Sequence, residues 1–135
     1  MIKARVLFTL SLLLVPGVRA GRSQELTFAD VEKLPAPAAD HRIAYGSDPL
    51  QFGELRLPKG KGPHTVAVII HGGCWLSDYD LRHVGSFGAA LTDAGFATWS
   101  LEYRRVGNPG GGWPGTLQDV ARGTDYLRSL RRTYR

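Results

Sequence analysis

Six consecutive residues, Thr65-Val66-Ala67-Val68-Ile69-Ile70, are apolar without alternation and β-branched almost throughout. A strand wetted on one face alternates apolar and polar positions, whereas such a run suits a strand covered on both faces, as in a parallel sheet flanked by helices. From Leu81 the period lengthens: Leu81, Val84, Phe87, Leu91 and Ala94 recur at three- and four-residue steps, and Gly95 supplies the stop of one amphipathic helix. Ala97 to Leu101 reads as the next strand, ending at Glu102-Tyr103-Arg104-Arg105, and Asn108 to Gly115 is rich enough in Gly and Pro to be a loop. A second helix starts at Thr116, where Thr116 and Asp119 have capping-box spacing with Asp in place of Glu, and its apolar face is Leu117, Val120, Ala121, Leu127 and Leu130. Strand, helix, strand, helix implies a right-handed βαβ unit. The expected class is α/β, with a mostly parallel sheet between two helical layers.

Before that unit, Leu50-Gln51-Phe52 and Leu55-Arg56-Leu57 alternate around Gly53, the pattern of one half-buried strand with a bulge at the glycine. Residues 1–20 have a cationic start, ten mostly apolar residues from Val6 to Val15, and small side chains at Val18 and Ala20. These are the parts of an export signal cleaved after Ala20. Ten residues at ~1.5 Å each reach half of a ~30 Å hydrocarbon core, so no stable membrane anchor is expected. The organisation expected is an export signal over 1–20, a linker over 21–42 stiffened by Pro35 and Pro37, and a domain over 43–135.

The formal net charge is +5. Three of the cations lie in the export segment, and Arg128, Arg131, Arg132 and Arg135 crowd the last eight residues, so the charge belongs to the two ends rather than to a basic working face. No nucleic-acid partner is expected. His41, His64, His71 and His83 lack zinc-ligand spacing, and no metal or other cofactor is expected. Cys74, the single cysteine, has no intramolecular partner in an oxidising compartment. It reads as a buried small apolar residue; a nucleophilic role would need His71 as its base.

Ligands of parallel sheets bind just beyond the carboxyl ends of the strands, and that rim carries His71-Gly72-Gly73-Cys74-Trp75. Two glycines after a covered strand let the backbone turn sharply and leave amide N–H groups unshielded. Such amides can hold a developing oxyanion, each donor contributing about 10²–10³ in rate. Spacing alone leaves open whether Gly72 and Gly73 do this or merely turn the chain.

The segment resembles the α/β-hydrolase fold, in particular esterase-like members related to the hormone-sensitive-lipase and kynurenine-formamidase groups. Their His-Gly-Gly-x-Trp or His-Gly-Gly-Gly loop is similar to His71–Trp75. A helix, Ala94-Gly95-Phe96-Ala97-Thr98-Trp99, Glu102-Tyr103-Arg104, Trp113-Pro114-Gly115 and Gln118-Asp119-Val120 follow in the family's order, so the resemblance covers roughly 43–132. It implies oxyanion donors at the amides of Gly72 and Gly73, with Cys74 a possible substitute, and a supporting rather than basic His71. It also implies a Trp75 beside the substrate pocket, with Asp78 and Asp80 near its mouth. Glu102, Tyr103 and Arg104 would hold the loops at the strand end, although a solvated turn remains open. The implied activity is hydrolysis of a small-molecule carboxylic ester or amide through a serine acyl-enzyme.

None of the seven serines has glycine at both −2 and +2, so these residues contain no Gly-x-Ser-x-Gly elbow. The expectation is therefore the amino-terminal part of a hydrolase domain, inactive alone, whose open sheet edge is completed by a dimer mate or a partner chain. Two other readings stay open. One is a non-catalytic exported binding module; the other is nucleotide binding at Gly110-Gly111-Gly112-Trp113-Pro114-Gly115, which fits G-x-G-x-x-G.

Overall fold

A computed structural model describes residues 25–134; the export signal expected over 1–20 lies outside the described residues. The elements are α1 (Phe28–Glu32), β1 (His41–Ala44), β2 (Phe52–Arg56), β3 (Val66–Ile70), a 3₁₀ turn (Leu81–Val84), α2 (Gly85–Asp93), β4 (Ala97–Leu101), α3 (Gly115–Asp125) and α4 (Leu127–Thr133). Among the described residues, no helix is long and apolar enough to cross a membrane.

The strands form one sheet in the order β1-β2-β4-β3. β1 pairs antiparallel with β2, β2 antiparallel with β4, and only β3 and β4 run parallel. The sheet is thus mixed, which corrects the expectation of a mostly parallel one. The reason is connection length. The short segment between Ala44 and Phe52 closes as a hairpin turn, with the Tyr45 amide donating to the Gln51 carbonyl at 2.9 Å. Only the longer β3–β4 connection, which contains α2, can make a parallel crossover.

The three-layer arrangement holds. β4 alternates its side chains between the two faces. Thr98 and Ser100 turn toward α2, where Thr92 Oγ1 lies 3.3 Å from Thr98 Oγ1. Trp99 and Leu101 turn toward α3, where the Trp99 indole N–H donates to the Gly123 carbonyl at 2.9 Å. Trp99 and Leu101 are fully buried and form the core with Tyr45, Leu55 and Leu130.

Both helices pack through small or polar residues rather than the apolar stripes read from the sequence. α2 buries Gly85 and Gly88, while Phe87 is 55% exposed. A Cβ on Gly88 would stand 3.5 Å from Ile69, Ser100 and Arg56, ordinary van der Waals contact, so the helix backbone lies about one methyl group from the sheet. α3 buries Gly115, Thr116, Asp119 and Gly123 and leaves Leu117 exposed. Thr116 and Asp119 do not form a capping box; the helix has no side-chain cap.

β2 also departs from expectation. It is buried over nearly its whole length, and Gly53 is paired in register with Ile43 on one side and Leu101 on the other, so there is no bulge. Glycine is required there because the Trp99 ring lies flat over the backbone: a Cβ would come within 2.4 Å of two indole carbons. Gly53→Ala should therefore cost about 1–3 kcal/mol, the usual range for overpacking. At roughly 4–8 °C per kcal/mol for a domain of this size, thermal denaturation followed by circular dichroism should show a drop of about 10 °C.

Candidate active site

β3 and β4 end side by side, and the residues just past their carboxyl ends build the site. Gly73 (φ 113°), Cys74 (φ 52°) and Trp75 (φ 56°) have successive positive φ values, and the Leu76 amide donates to the Gly73 carbonyl at 3.0 Å. That is a type I′ turn with two non-glycine central residues, a conformation costing of order 1–3 kcal/mol per residue unless its surroundings hold it. Those surroundings are bonds to the segment after β4. The Val106 amide donates to the Trp75 carbonyl at 2.8 Å, and the Ser77 amide to the Val106 carbonyl at 2.9 Å.

Among the described residues, the amides of Gly72, Gly73 and Cys74 donate to no protein acceptor. Gly72 is exposed, and a Cβ there would meet nothing within 4 Å. The turn therefore presents unsatisfied donors to open space. Cys74 is exposed at the first central position of the turn, which corrects its reading as a buried apolar residue.

Beneath the turn, His71 is buried and its Nε2 lies 3.1 Å from Glu102 Oε1. Glu102 is also buried. Burial raises its carboxyl pKa, but hydrogen bonds from His71 and from the Leu81 and Tyr103 amides outweigh that, holding it below the usual range. An ionised carboxylate only accepts, so Nε2 carries the proton. Oε1 further accepts from the Tyr103 amide (3.0 Å) and from the Arg105 guanidinium, while Oε2 accepts from the Leu81 amide (3.1 Å). The approach of Arg105 to His71 Nε2, at 3.2 Å, brings together two donors sharing one acceptor. The Tyr103 hydroxyl donates to the His71 carbonyl, and the ring stacks on the imidazole at 4.3 Å between centroids. Glu102 and Tyr103 thus anchor the loop, and the alternative of a solvated turn does not hold. Asp80 accepts from the Arg82 amide and guanidinium.

Arg104 binds Asp119 of α3 with two guanidinium contacts of 2.7 Å, and Gln51 donates to the same carboxylate at 2.6 Å. Thr116 completes the clamp by donating to the Arg104 carbonyl at 2.6 Å. α3 is therefore fixed to the end of β4 by side chains that the sequence pattern assigned to a cap. Arg105, Gln51 and Tyr45, whose hydroxyl donates to the Glu102 carbonyl, carry no local sequence signal; only the long-range register brings them here.

Trp75, 56% exposed, borders a slot of about 250 Å³ with Val106, Trp113 and Leu117. The Thr116 hydroxyl at its floor is already engaged, since it also accepts from the Gly112 amide. The glycines of the G-x-G-x-x-G stretch close on their own loop. A Cβ on Gly115 would overlap the Gly110 carbonyl, and one on Gly111 the Arg105 backbone. Among the described residues, no three His, Cys, Asp or Glu side chains gather where a metal ion could sit.

Residues 54–135, more than half of the chain, match the BD-FAE family model. The chain belongs to the BD-FAE family. This is an α/β-hydrolase-like esterase family, in agreement with the resemblance carried by His71–Trp75. No curated protein matches the chain. Among solved structures, this BD-FAE chain is similar to a truncated carbohydrate esterase from gut microbiota, with 30% identity and a TM-score of 0.58 over 70% of this chain and 34% of that one. A bifunctional GH43-CE protein of Bacteroides eggerthii gives 26% identity and a TM-score of 0.59 over 68% of this chain and 13% of that one. A protein described as a thioesterase from Silicibacter sp. TM1040 shares the fold at 18% identity, with a TM-score of 0.59 over 76% of this chain and 39% of its own. The chain thus spans well under half the length of each of these structures.

Proposed function

We propose that this chain is the oxyanion-stabilising part of an exported serine esterase that cleaves a carboxylic ester, in keeping with the carbohydrate esterases it resembles. The observation that carries the reading is the exposed I′ turn with three unsatisfied amides, held by the buried His71, Glu102 and Tyr103 network. Gly72 and Gly73, with Cys74 as a further donor, hold the oxygen of the tetrahedral intermediate. Preorganised donors cost nothing to align when charge develops, which is why each contributes about 10²–10³ in rate. His71 supports the loop and is not the base: its side chain is fully buried and its Nε2 proton is committed to Glu102. Trp75 and Trp113 flank the place of the substrate.

The nucleophile, its base and the orienting acid come from polypeptide outside these residues. Among the described residues β3 is an edge strand with no further neighbour, which favours this division of labour. Val66 and Ile70 remain 44% and 49% exposed on a strand whose composition suits cover on both faces, and an additional strand along that edge, with a helix returning over that face, would bury them.

Alone, the 135-residue protein should hydrolyse p-nitrophenyl acetate at the buffer rate and take up no fluorophosphonate label. Joined to the nucleophile-bearing remainder of a related carbohydrate esterase, it should do both. In that chimera Gly72→Pro, which removes an amide where the added Cβ has open space, should lower kcat by about 10²–10³ with little change in KM. Turnover by the chain alone, abolished by changing one of its own serines, would overturn the proposal.

A further inference from the structure

The three unsatisfied amides at the I′ turn are aimed as well as held, and the side chain that aims the first of them lies 32 positions away from the carbonyl it grips. A peptide unit is planar, and in its trans form the carbonyl and the N–H point in opposite directions. The unit joining His71 to Gly72 is trans. Its carbonyl faces the interior, where it accepts from the Tyr103 hydroxyl in a buried contact. The Gly72 N–H therefore faces outward, on the side where Gly72 is exposed and an added Cβ would meet nothing. The units that follow are seated on other groups: the Gly72 carbonyl lies 3.0 Å from His71 Nδ1, and the Gly73 carbonyl accepts from the Leu76 amide.

Tyr103 is built to fix that direction. It is fully buried, its ring lies within 15° of parallel to the His71 imidazole at 4.3 Å, and the Arg105 guanidinium stands 5.9 Å from its centroid. A ring so enclosed cannot swing its hydroxyl elsewhere. Burial raises the phenol above its ordinary pKa of 10.0, against an opposing pull from Arg105, so the hydroxyl keeps its proton and donates at neutral pH. Without that hydroxyl the His71 carbonyl would be a buried acceptor with no partner. Rotation of the unit would bring the carbonyl to water, which the missing Cβ of Gly72 permits, and would turn the Gly72 N–H inward. We propose, on the oxyanion reading of the turn, that Tyr103 is a positioning residue for the esterase chemistry: through the His71 carbonyl it points the Gly72 amide, and that amide alone, at the place of the oxyanion.

The test is a double-mutant cycle in the chimera described above, with Tyr103→Phe, Gly72→Pro and the two together. Phenylalanine keeps the ring on His71 and removes only the hydroxyl. Tyr103→Phe should lower kcat by about ten-fold or more and leave KM within about two-fold of the parent. Added to Gly72→Pro it should cost less than about two-fold, because the amide it aims is already gone. In the 135-residue protein alone, NMR should show the His71 carbonyl carbon and the Gly72 amide displaced by Tyr103→Phe, with the Gly73 and Cys74 amides much less affected. That readout needs no turnover, so it decides the matter even where the chimera folds poorly. Full kcat in Tyr103→Phe, or an equal loss with and without Gly72→Pro, would overturn the positioning role. Displacement of Gly72 through Trp75 as a block would do the same, since it marks a turn that has merely loosened. If Gly72→Pro itself leaves kcat unchanged, the oxyanion reading is lost, and the aim assigned to Tyr103 goes with it.

Discussion

Glu102→Leu should leave the chain without a cooperative thermal transition, or lower its melting temperature by about 15 °C or more. Removing the carboxylate strands the Arg105 cation, 4% exposed at its side chain, together with the His71 N–H and the Leu81 and Tyr103 amides. Breaking one partner out of a buried ion pair costs about 3–5 kcal/mol, because the remaining charge stays desolvated. Glu102→Gln should lie between the two. It keeps the shape, but both oxygens accept from donors, so its NH₂ must face one and lose that bond at about 1–3 kcal/mol. Acidity supplies an independent readout. The folded-state pKa of Glu102 is depressed, so its contribution is present above the ordinary carboxyl value of 4.5 and is lost as pH falls through the lower folded value. The urea midpoints of the parent and Glu102→Leu should therefore lie far apart at pH 7 and converge only as the pH falls past the ordinary carboxyl value and through the lower folded one. A separation that persists in acid would show that the leucine acts by misfit in packing rather than by removing charge.

What the sequence discloses about this molecule is mostly what depends on neighbours in the chain. The unalternating β3 run, the helix and β4 that follow it, and the exposed glycine turn at the strand end are local patterns, and their order places the turn at the carboxyl rim. The direction of β1 and β2 was hidden because it depends on hairpin closure near Gln51 rather than on any residue's preference. The helix faces were misjudged for a related reason. Hydrophobic periodicity presumes that a helix packs through large apolar side chains, whereas α2 approaches through Gly85 and Gly88, and α3 is tied down by Thr116 and Asp119. Spacing suggested a cap for those two, but Arg104, twelve and fifteen residues earlier, claims both. Arg105 was missed entirely: a run of two arginines after a strand reads as a solvated end, and only the approach of β3 to β4 turns the second one inward.

The two glycines of the turn look interchangeable in sequence, yet the structure separates them sharply. Gly73 has φ 113°, in the region where a Cβ collides with the backbone, and that Cβ would stand 2.3 Å from the Tyr79 Cβ. Neither obstacle yields easily. The positive φ costs on the order of 1–2 kcal/mol. The Tyr79 atom is the root of a side chain whose ring packs edge-on against Phe28 of α1 at 5.2 Å, so it cannot swing aside. Gly73→Ala should therefore lose about 3 kcal/mol or more, and thermal melting should fall by more than 10 °C. The loss should centre on the turn, because Gly73 accepts its closing bond and the strain of Cys74 and Trp75 is held by the bonds to Val106. The amide resonances of Gly72 through Trp75 should move together, while those of β1 and β2 stay in place. Gly72→Ala, with open space at the added methyl and no positive φ, should melt within a few degrees of the parent. Equal melting of the two variants would mean that the chain does not hold the I′ geometry, and the preorganised amides on which esterase chemistry depends would go with it.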